Sequence, residues 1–273
     1  MRYIKSFQNS SDVQNALNNG ELGKPYVAFN GTEIDWNGLT PVLPFNQQYF
    51  TFEILSAGTI NWSHYNADQG IGLKTISYSL NNGVWTDIVP GTSISVDAGD
   101  IVRFKGTNDA YADFSTNNNF GTTTAEFNCY GNILSLIYGD NFTGQTTLPT
   151  GSSYNFANFF RGCLGIHSAE NLILPENVTE YCYFLMFRNC SSLTGTPVLP
   201  AATLADNCYY SMFLYCDAVN YIKCLATVLG ENSTLYWLDG VSPTGTFVKA
   251  ASMNDWQSGV DGIPENWTVV DAQ

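Results

Sequence analysis

A cysteine-containing phrase recurs in the second half of the chain, and it constrains the fold more than any other feature. Cys163, Cys190 and Cys216 stand 27 and 26 residues apart. The three copies end in FFRGC, MFRNC and MFLYC, and a Leu-Pro pair precedes each of them. A unit of about 26 residues is too short to bury its own apolar side. The copies are therefore predicted to stack and share one continuous core, as in a solenoid.

The cysteines are predicted to be small buried residues in that core. The chain has seven, an odd number, and the closest spacing among them is eight residues, as from Cys182 to Cys190. Zinc ligands normally come in pairs two to four residues apart, whereas free cysteine is among the most buried residue types. Disulfides and a metal site are the alternatives. The residues eight, four and three positions before Cys163, Cys190 and Cys216 are apolar except for Asn155 in the first copy, which favours a short helix or a tight helical turn.

The phrase LPAATLADNCYYSMFLYC, with an apolar residue three positions later, resembles the bacterial surface leucine-rich repeats of the BspA type. The resemblance covers roughly residues 128–248, and TGTFVKAASMNDWQSGVDGIPENWTVVDA is similar to the C-terminal cap of such arrays. The first copy departs from the pattern, with Asn155 in place of the leading cysteine and Phe159 in place of methionine. The resemblance implies a leucine-rich-repeat domain over 128–273, with a cap from about residue 243.

Between about residues 39 and 127 the apolar pattern changes to a period of two, as at Phe50, Phe52 and Ile54. This alternation predicts half-buried antiparallel strands. Asn81-Asn82-Gly83 supplies a tight hairpin turn, and Asp97-Ala98-Gly99-Asp100 is expected to do the same between 94–96 and 101–105. Six or seven short strands predict a β-sandwich of about 90 residues. The stretch from Tyr78 to Asn108 is similar to a small module that precedes such repeats in proteins of Bacteroidetes and their phages.

Residues 1–38 are polar, and GELGKPYVAFNGTEIDWNG within them resembles a short N-terminal segment of virion proteins from crAss-like phages that infect Bacteroidetes. The resemblance implies a tether that leads a distal domain. Its apolar pentad is predicted to add as a strand to another virion protein or to symmetry mates; covering the edge of the sandwich is the alternative. The pentad consists of Pro25, Tyr26, Val27, Ala28 and Phe29. The expected fold class is thus mainly β: an extended tether, an antiparallel sandwich, and a short solenoid with helical turns and a cap.

Charge limits the classes of partner. The chain has 10 basic and 24 acidic residues, a net charge of -14, so it lacks the basic surface that nucleic-acid binding requires. No stretch approaches the roughly 18 consecutive apolar residues of a membrane span, and the N-terminus lacks the apolar run of a secretory signal. We expect a soluble chain that is not exported by the ordinary route and does not insert into membranes.

Residues that could support catalysis are few. His64 lies among aromatic residues in a predicted strand, and His167 follows Cys163 by four residues, a spacing that would suit a Cys–His pair. The repeat explains Cys163 without catalysis, and carboxylates such as Glu176 and Glu180 are interpreted as solvated. No hydrolase, metalloprotease or nucleotide motif is present. We expect no catalytic group, no cofactor and no enzyme. Oxygen ligands for calcium occur at Asn66, Asp68 and the run Asp109 to Asp113, without the spacing of an acidic calcium loop.

Aromatic residues make up 14% of the chain, and some are less constrained by the repeat than others. Exposed rings beside amides and carboxylates are typical of carbohydrate-binding surfaces. The candidate contacts with a glycan or protein are Tyr210, Tyr215, Tyr236 and Trp237. Covering the core or a subunit contact is the alternative for each of them.

These features favour a virion structural protein of a phage, a head or tail fibre or decoration component assembled in the host cytoplasm. It would dock on other virion proteins through residues 1–38 and display the repeat domain for adhesion to a host glycan or protein. Virion fibres are commonly symmetric, so a homodimer or homotrimer is expected. The repeat resemblance itself points to the alternative, a bacterial cell-surface adhesin. A glycan-active enzyme is a third hypothesis: polysaccharide turnover that survives replacement of His64 and His167 would show a catalytic site other than these residues.

Overall fold

The computed structural model describes residues 43–66 and 72–273. The predicted docking pentad at 25–29 and the candidate ligand Asp68 lie outside these residues. Within them the chain is mainly β, and its one α-helix, α1, comprises only Ser135–Tyr138. Short 3-10 turns lie at Phe45–Gln47 and Gly139–Asn141.

The first eight strands form antiparallel pairs in two sheets. Their bounds are β1 Phe50–Ser56, β2 Gly58–Asn66, β3 Ile76–Leu80, β4 Thr86–Ile88, β5 Thr92–Val96, β6 Ile101–Gly106, β7 Thr116–Asn119 and β8 Glu126–Asn132. A six-stranded sheet has the order β4-β3-β6-β1-β8-β9, where β9 is Ile166–Ile173, and a three-stranded sheet has the order β5-β2-β7. Position 127, the predicted domain boundary, lies inside β8.

Alternation places the large side chains of β1 and β2 in a common core. Phe50, Phe52 and Ile54 are buried on β1, as are Ile60 and Trp62 on β2. Phe120, which follows β7, joins the two sheets, because its ring lies 5.1 Å from Phe52 and 4.8 Å from Trp62. The prediction of half-buried strands is confirmed here.

The two predicted turns have different outcomes. Asn81 and Asn82 both have positive φ, 50° and 61°, and the Gly83 N–H donates to the Leu80 carbonyl at 2.8 Å, so the β3–β4 hairpin is confirmed. The expected hairpin at 97–100 is wrong, because β5 pairs with β2 while β6 pairs with β1 and β3. That turn, with φ of 90° at Gly99, carries the chain from one sheet to the other.

Parallel pairing begins at β8 and continues toward the C-terminus. β8 pairs with β9 in parallel, and β10 (Tyr221–Cys224), β11 (Gly245–Lys249) and β12 (Trp267–Asp271) form a parallel three-stranded sheet. Single parallel bridges, Ser168 to Gly195 and Leu199 to Cys224, lie between β9 and β10. Extended pieces therefore recur in parallel register about once in each sequence repeat.

Each repeat also contains a run of consecutive turns, so of the two predicted alternatives the short helix is wrong and the tight turn is found. We call the runs at 154–163, 181–190, 207–216 and 232–240 the turn segments. In the first, Ala157 N–H donates to the Tyr154 carbonyl and Phe159 N–H to the Phe156 carbonyl, while the alternate N–H groups donate to the next segment. Every fourth residue has positive φ, at 154, 158 and 162 for example. This left-handed conformation breaks a helix at each recurrence.

The alternate N–H groups connect the turn segments in register. The N–H of Phe156 donates to the Cys182 carbonyl at 2.8 Å, that of Tyr183 to Cys208 at 3.0 Å, and that of Tyr209 to Ser233 at 2.9 Å. Both kinds of bond satisfy backbone groups that would otherwise be buried without partners.

Two columns of stacked aromatic rings fill the core beneath the turn segments. Phe160, Phe187 and Phe213 stack at 5.4 Å with interplanar angles of 8° and 3°. The longer column contains Phe156, Tyr183, Tyr209, Trp237 and Trp256, with neighbouring ring centroids 5.4–6.2 Å apart. Trp256 ends this column in the region predicted to be the cap.

All seven cysteines are buried and free, so their predicted place in the core is confirmed. The thiols of Cys190 and Cys216 donate to the carbonyls of Phe160 and Phe187, at 3.1 and 2.9 Å. In the described ranges no helix has both the length and the apolar character needed to cross a bilayer.

Candidate ligand-binding face

The turn segments have one buried side and one solvent side. In the first segment the residues that point into the core are Asn155, Phe156, Phe159, Phe160 and Cys163. Ala157 and Asn158 are buried as well, whereas Tyr154 before them and Arg161 after them are accessible to solvent. We call the solvent side of the four turn segments the outer face. Its side chains are brought together by the hydrogen bonds between segments, since residues about 26 apart in sequence become neighbours.

Five aromatic side chains form a row on the outer face. They are Tyr154, Tyr181, Phe184, Tyr210 and Tyr236, which we call the outer aromatic row. Tyr154 and Tyr181 stack with centroids 4.6 Å apart and planes 2° apart. Phe184 lies 5.6 Å from Tyr181 and 5.2 Å from Tyr210. All five remain partly accessible to solvent, unlike the rings of the two core columns.

The electrostatic surroundings differ between the two ends of the turn segments. At the start of the first segment, burial together with the nearby Tyr181, Glu180 and Asp113 raises the pKa of Tyr154 to about 12. Seven residues later, burial lowers the pKa of Arg161, and the positive charge of Arg188 adds to the effect. In the first two segments, one end of the outer face therefore carries carboxylates and the other carries arginines.

The structure places three of the four predicted contact residues on the outer face. Tyr210 and Tyr236 belong to the outer aromatic row, their rings 6.3 Å apart. Tyr215 is 53% exposed and adopts a positive φ of 62° near the end of its segment. The prediction for Trp237 is wrong: it is fully buried in the longer column, and its indole N–H donates to the Gly262 carbonyl at 2.7 Å.

The Cys163–His167 spacing does not produce an activated thiol. Burial raises the pKa of Cys163 to about 12, and a protonated thiol is a weak nucleophile. The imidazole Nε2 of His167 lies 3.8 Å from a carboxylate oxygen of Glu126. His64 lies on β2 opposite Asn118 of β7, with its Nδ1 buried and without a hydrogen-bond partner.

Among the calcium candidates, Asp113 has a structural role. A carboxylate oxygen of Asp113 accepts the backbone N–H groups of Ser115 and Thr116 at 2.9 and 2.8 Å, which shapes the turn before β7. In residues 43–66 and 72–273, no three of the His, Cys, Asp and Glu side chains are grouped so that they could hold a metal ion.

Sequence reasoning missed Tyr154, Tyr181, Phe184 and the two arginines. A usable signal was present, because a tyrosine stands nine residues before Cys163 and before Cys190, and an arginine stands two residues before each. These positions fall between the apolar ones, so the repeat that predicts the core also marks the outward positions.

Comparison of the chain with family models, with curated proteins and with solved structures finds no match.

Proposed function

We propose that the chain is a structural protein of a phage virion, in which the outer face adheres to a glycan or protein of the host surface. The observation that carries the adhesion proposal is the outer aromatic row. Five rings share one solvent-facing side although the core of the same segments already contains two complete aromatic columns.

The geometry of the row suits a chain of sugars. Aromatic faces and edges contact the apolar faces of sugar rings, and amides such as Asn207 and Asn232 at the starts of their segments supply hydrogen bonds to hydroxyls. The row crosses successive turn segments, so it offers an extended surface and not a closed pocket. An extended ligand with a repeating unit fits that surface best.

The rest of the architecture is proposed to position this face. The in-register turn segments and parallel extended pieces support a short leucine-rich-repeat solenoid closed by the cap around Trp256. The antiparallel sheets would form the sandwich that separates it from the virion. Docking through residues 1–38, and a homodimeric or homotrimeric state, rest on the sequence resemblance and on the symmetry of fibres.

Binding of the purified full chain to Bacteroidetes host cells tests the adhesion proposal. Replacing Tyr181 and Tyr210 together by alanine removes two adjacent members of the outer aromatic row, each expected to contribute roughly 1 kcal/mol through ring contacts. We expect cell binding to fall at least about tenfold. The matched control is Tyr221→Ala, since this tyrosine is 44% exposed but lies on β10, away from the outer face. Equal binding by the double variant, with an unchanged melting temperature, would contradict the proposal.

The location is tested by mass spectrometry of purified particles, together with assembly of a chain that lacks residues 1–38. Recovery of the intact chain in virions and loss of the shortened one would support docking through the N-terminus. The BspA-type resemblance favours the second candidate, a bacterial cell-surface adhesin. Recovery of the chain from bacterial envelopes, and not from particles, would replace the virion proposal with that one.

A further inference from the structure

Two arginines lie side by side at one end of the outer face. Arg161 and Arg188 each stand two residues before the last cysteine of a copy. Their neighbours fix the register: Phe160 stacks on Phe187 at 5.4 Å, and the N–H of Gly162 donates to the Arg188 carbonyl at 2.8 Å. Hydrogen-bonded segments lie about 4.8 Å apart, so the two guanidinium groups occupy adjacent rows.

The pair has no carboxylate partner in the part of the chain that the structure describes. The Nη1 of Arg161 donates to the Asn158 side-chain oxygen at 3.3 Å, and the Nε of Arg188 is buried without a partner. By contrast, Lys105 pairs with Asp140 at 2.8 Å and Lys249 pairs with Asp271. The chain has 24 acidic and only 10 basic residues, so most of its basic side chains could have a carboxylate partner. Two adjacent arginines without one are therefore unexpected.

We propose that Arg161 and Arg188 form a subsite for the oxyanion of an acidic polysaccharide whose sugar rings lie along the outer aromatic row. The inference rests on the adhesion proposed above and names the class of ligand. A guanidinium presents a planar fork of donors that matches a carboxylate or sulfate in two parallel hydrogen bonds. A bound anion would offset the repulsion between the two guanidinium groups. They could share one anionic group of the ligand or bind two successive ones.

The net charge of -14 does not prevent this binding. At physiological ionic strength charges farther than about 8 Å are largely screened, so the local pair dominates for a group in direct contact. The acidic end, with Glu180 and Asp113 near Tyr154, repels the same ligand. This asymmetry would orient an acidic chain with its charged groups toward the arginines.

Matched polysaccharides test the inference with the full chain. The first pair of probes is polygalacturonate and its methyl ester, which differ in the carboxylate charge. The second pair is cellulose sulfate and hydroxyethyl cellulose, which tests sulfate in place of carboxylate as the anionic group. We expect one of the acidic probes to bind at least about tenfold more tightly than its neutral partner. This preference should weaken between about 0.01 M and about 1 M salt, as the Debye length falls from about 30 Å to about 3 Å.

The decisive variant replaces both arginines by glutamine, Arg161→Gln with Arg188→Gln. We expect the preference for the acidic probe to disappear while binding of neutral probes is unchanged. The control, Arg103→Gln with Lys223→Gln, changes the net charge equally on β6 and β10, outside the outer face, and should keep the preference. Loss of the preference in both variants would indicate an effect of net charge alone and overturn the subsite.

Failure of this inference is distinguishable from failure of the adhesion proposal. If the wild type prefers neither acidic probe, or the arginine variant keeps the preference, the subsite is refuted, while Tyr181→Ala with Tyr210→Ala still reports on cell adhesion. If wild-type protein does not bind host cells, adhesion itself is refuted. The probe series then answers only whether the arginine pair binds acidic sugars.

Discussion

Alkaline pH is expected to unfold this protein through its buried thiols. Burial raises the pKa of Cys163, Cys216 and Cys224 from about 9 to about 12, and it also raises the pKa of the other four cysteines. The unfolded chain can ionise these thiols near pH 9 and the folded chain cannot. The part of the folding stability that depends on these thiols is therefore fully present below about pH 9, and it is lost as pH rises from about 9 toward 12.

The size of the effect follows from the number of thiols. One pKa unit corresponds to about 1.4 kcal/mol, so at pH 10 each unfolded thiol contributes about that amount in favour of unfolding. Seven thiols together contribute about 10 kcal/mol, which is comparable to the whole stability of an ordinary domain. At pH 8 the same seven contribute well under 1 kcal/mol.

The assay is urea unfolding from pH 7 to pH 10 in the presence of a reductant, followed by the fluorescence of buried Trp62 and Trp237. Lysine and tyrosine ionisation also act in this range, so the control is a variant with Cys190→Ala and Cys216→Ala. It should lose about two sevenths of the thiol contribution, some 3 kcal/mol at pH 10. Identical pH dependence of the two proteins, or rapid modification of the thiols in the folded protein at pH 8, would refute the reasoning.

Two further changes probe the packing. Phe187→Leu conserves most of the volume but removes two stacked ring pairs, so the free energy of unfolding should fall by about 1–3 kcal/mol; an unchanged value in urea titrations would mean that the column only fills space. Gly131→Ala should be more costly than Gly99→Ala, measured as the drop in melting temperature. Both glycines have positive φ, but a Cβ at Gly131 would lie 2.1 Å from the Tyr49 carbonyl oxygen, whereas Gly99 faces open space. Equal losses would show that backbone conformation alone decides the cost.

Periodicity predicted the buried positions well and the local conformation poorly. The spacing of Cys163, Cys190 and Cys216 correctly indicated burial because every stacked copy must repeat its inward positions. The same spacing predicted helical turns, since apolar residues three and four apart occur in a helix and in a run of four-residue turns. Only the hydrogen bonds decide between them, because alternate N–H groups here donate to the neighbouring segment and not along their own.

Trp237 is the candidate contact residue whose burial the sequence repeat did not predict. The third copy is followed by a segment offset by 25 residues, with Val241 at the position of the cysteine. Without that cysteine the sequence does not mark which positions of the fourth segment face the core, and it predicts an exposed indole. The structure places it between Tyr209 and Trp256.

The turn at 97–100 has a similar explanation. Its sequence specifies a reversal with positive φ, as observed at Gly99. A local reversal is equally compatible with a hairpin and with a crossing between sheets, so the partners of β5 and β6 depend on contacts far away along the chain.

The sequence by itself determined which residues are buried in each copy, that the chain is mainly β, and where the β3–β4 hairpin lies, because these depend on local periodicity and on backbone preferences within a few residues. Only the tertiary structure decided that the outward tyrosines form one row and that Arg161 lies beside Arg188. Those contacts join residues 26 or 27 positions apart, and their geometry is set by the register of hydrogen bonds between segments. The proposed ligand face is a property of that register.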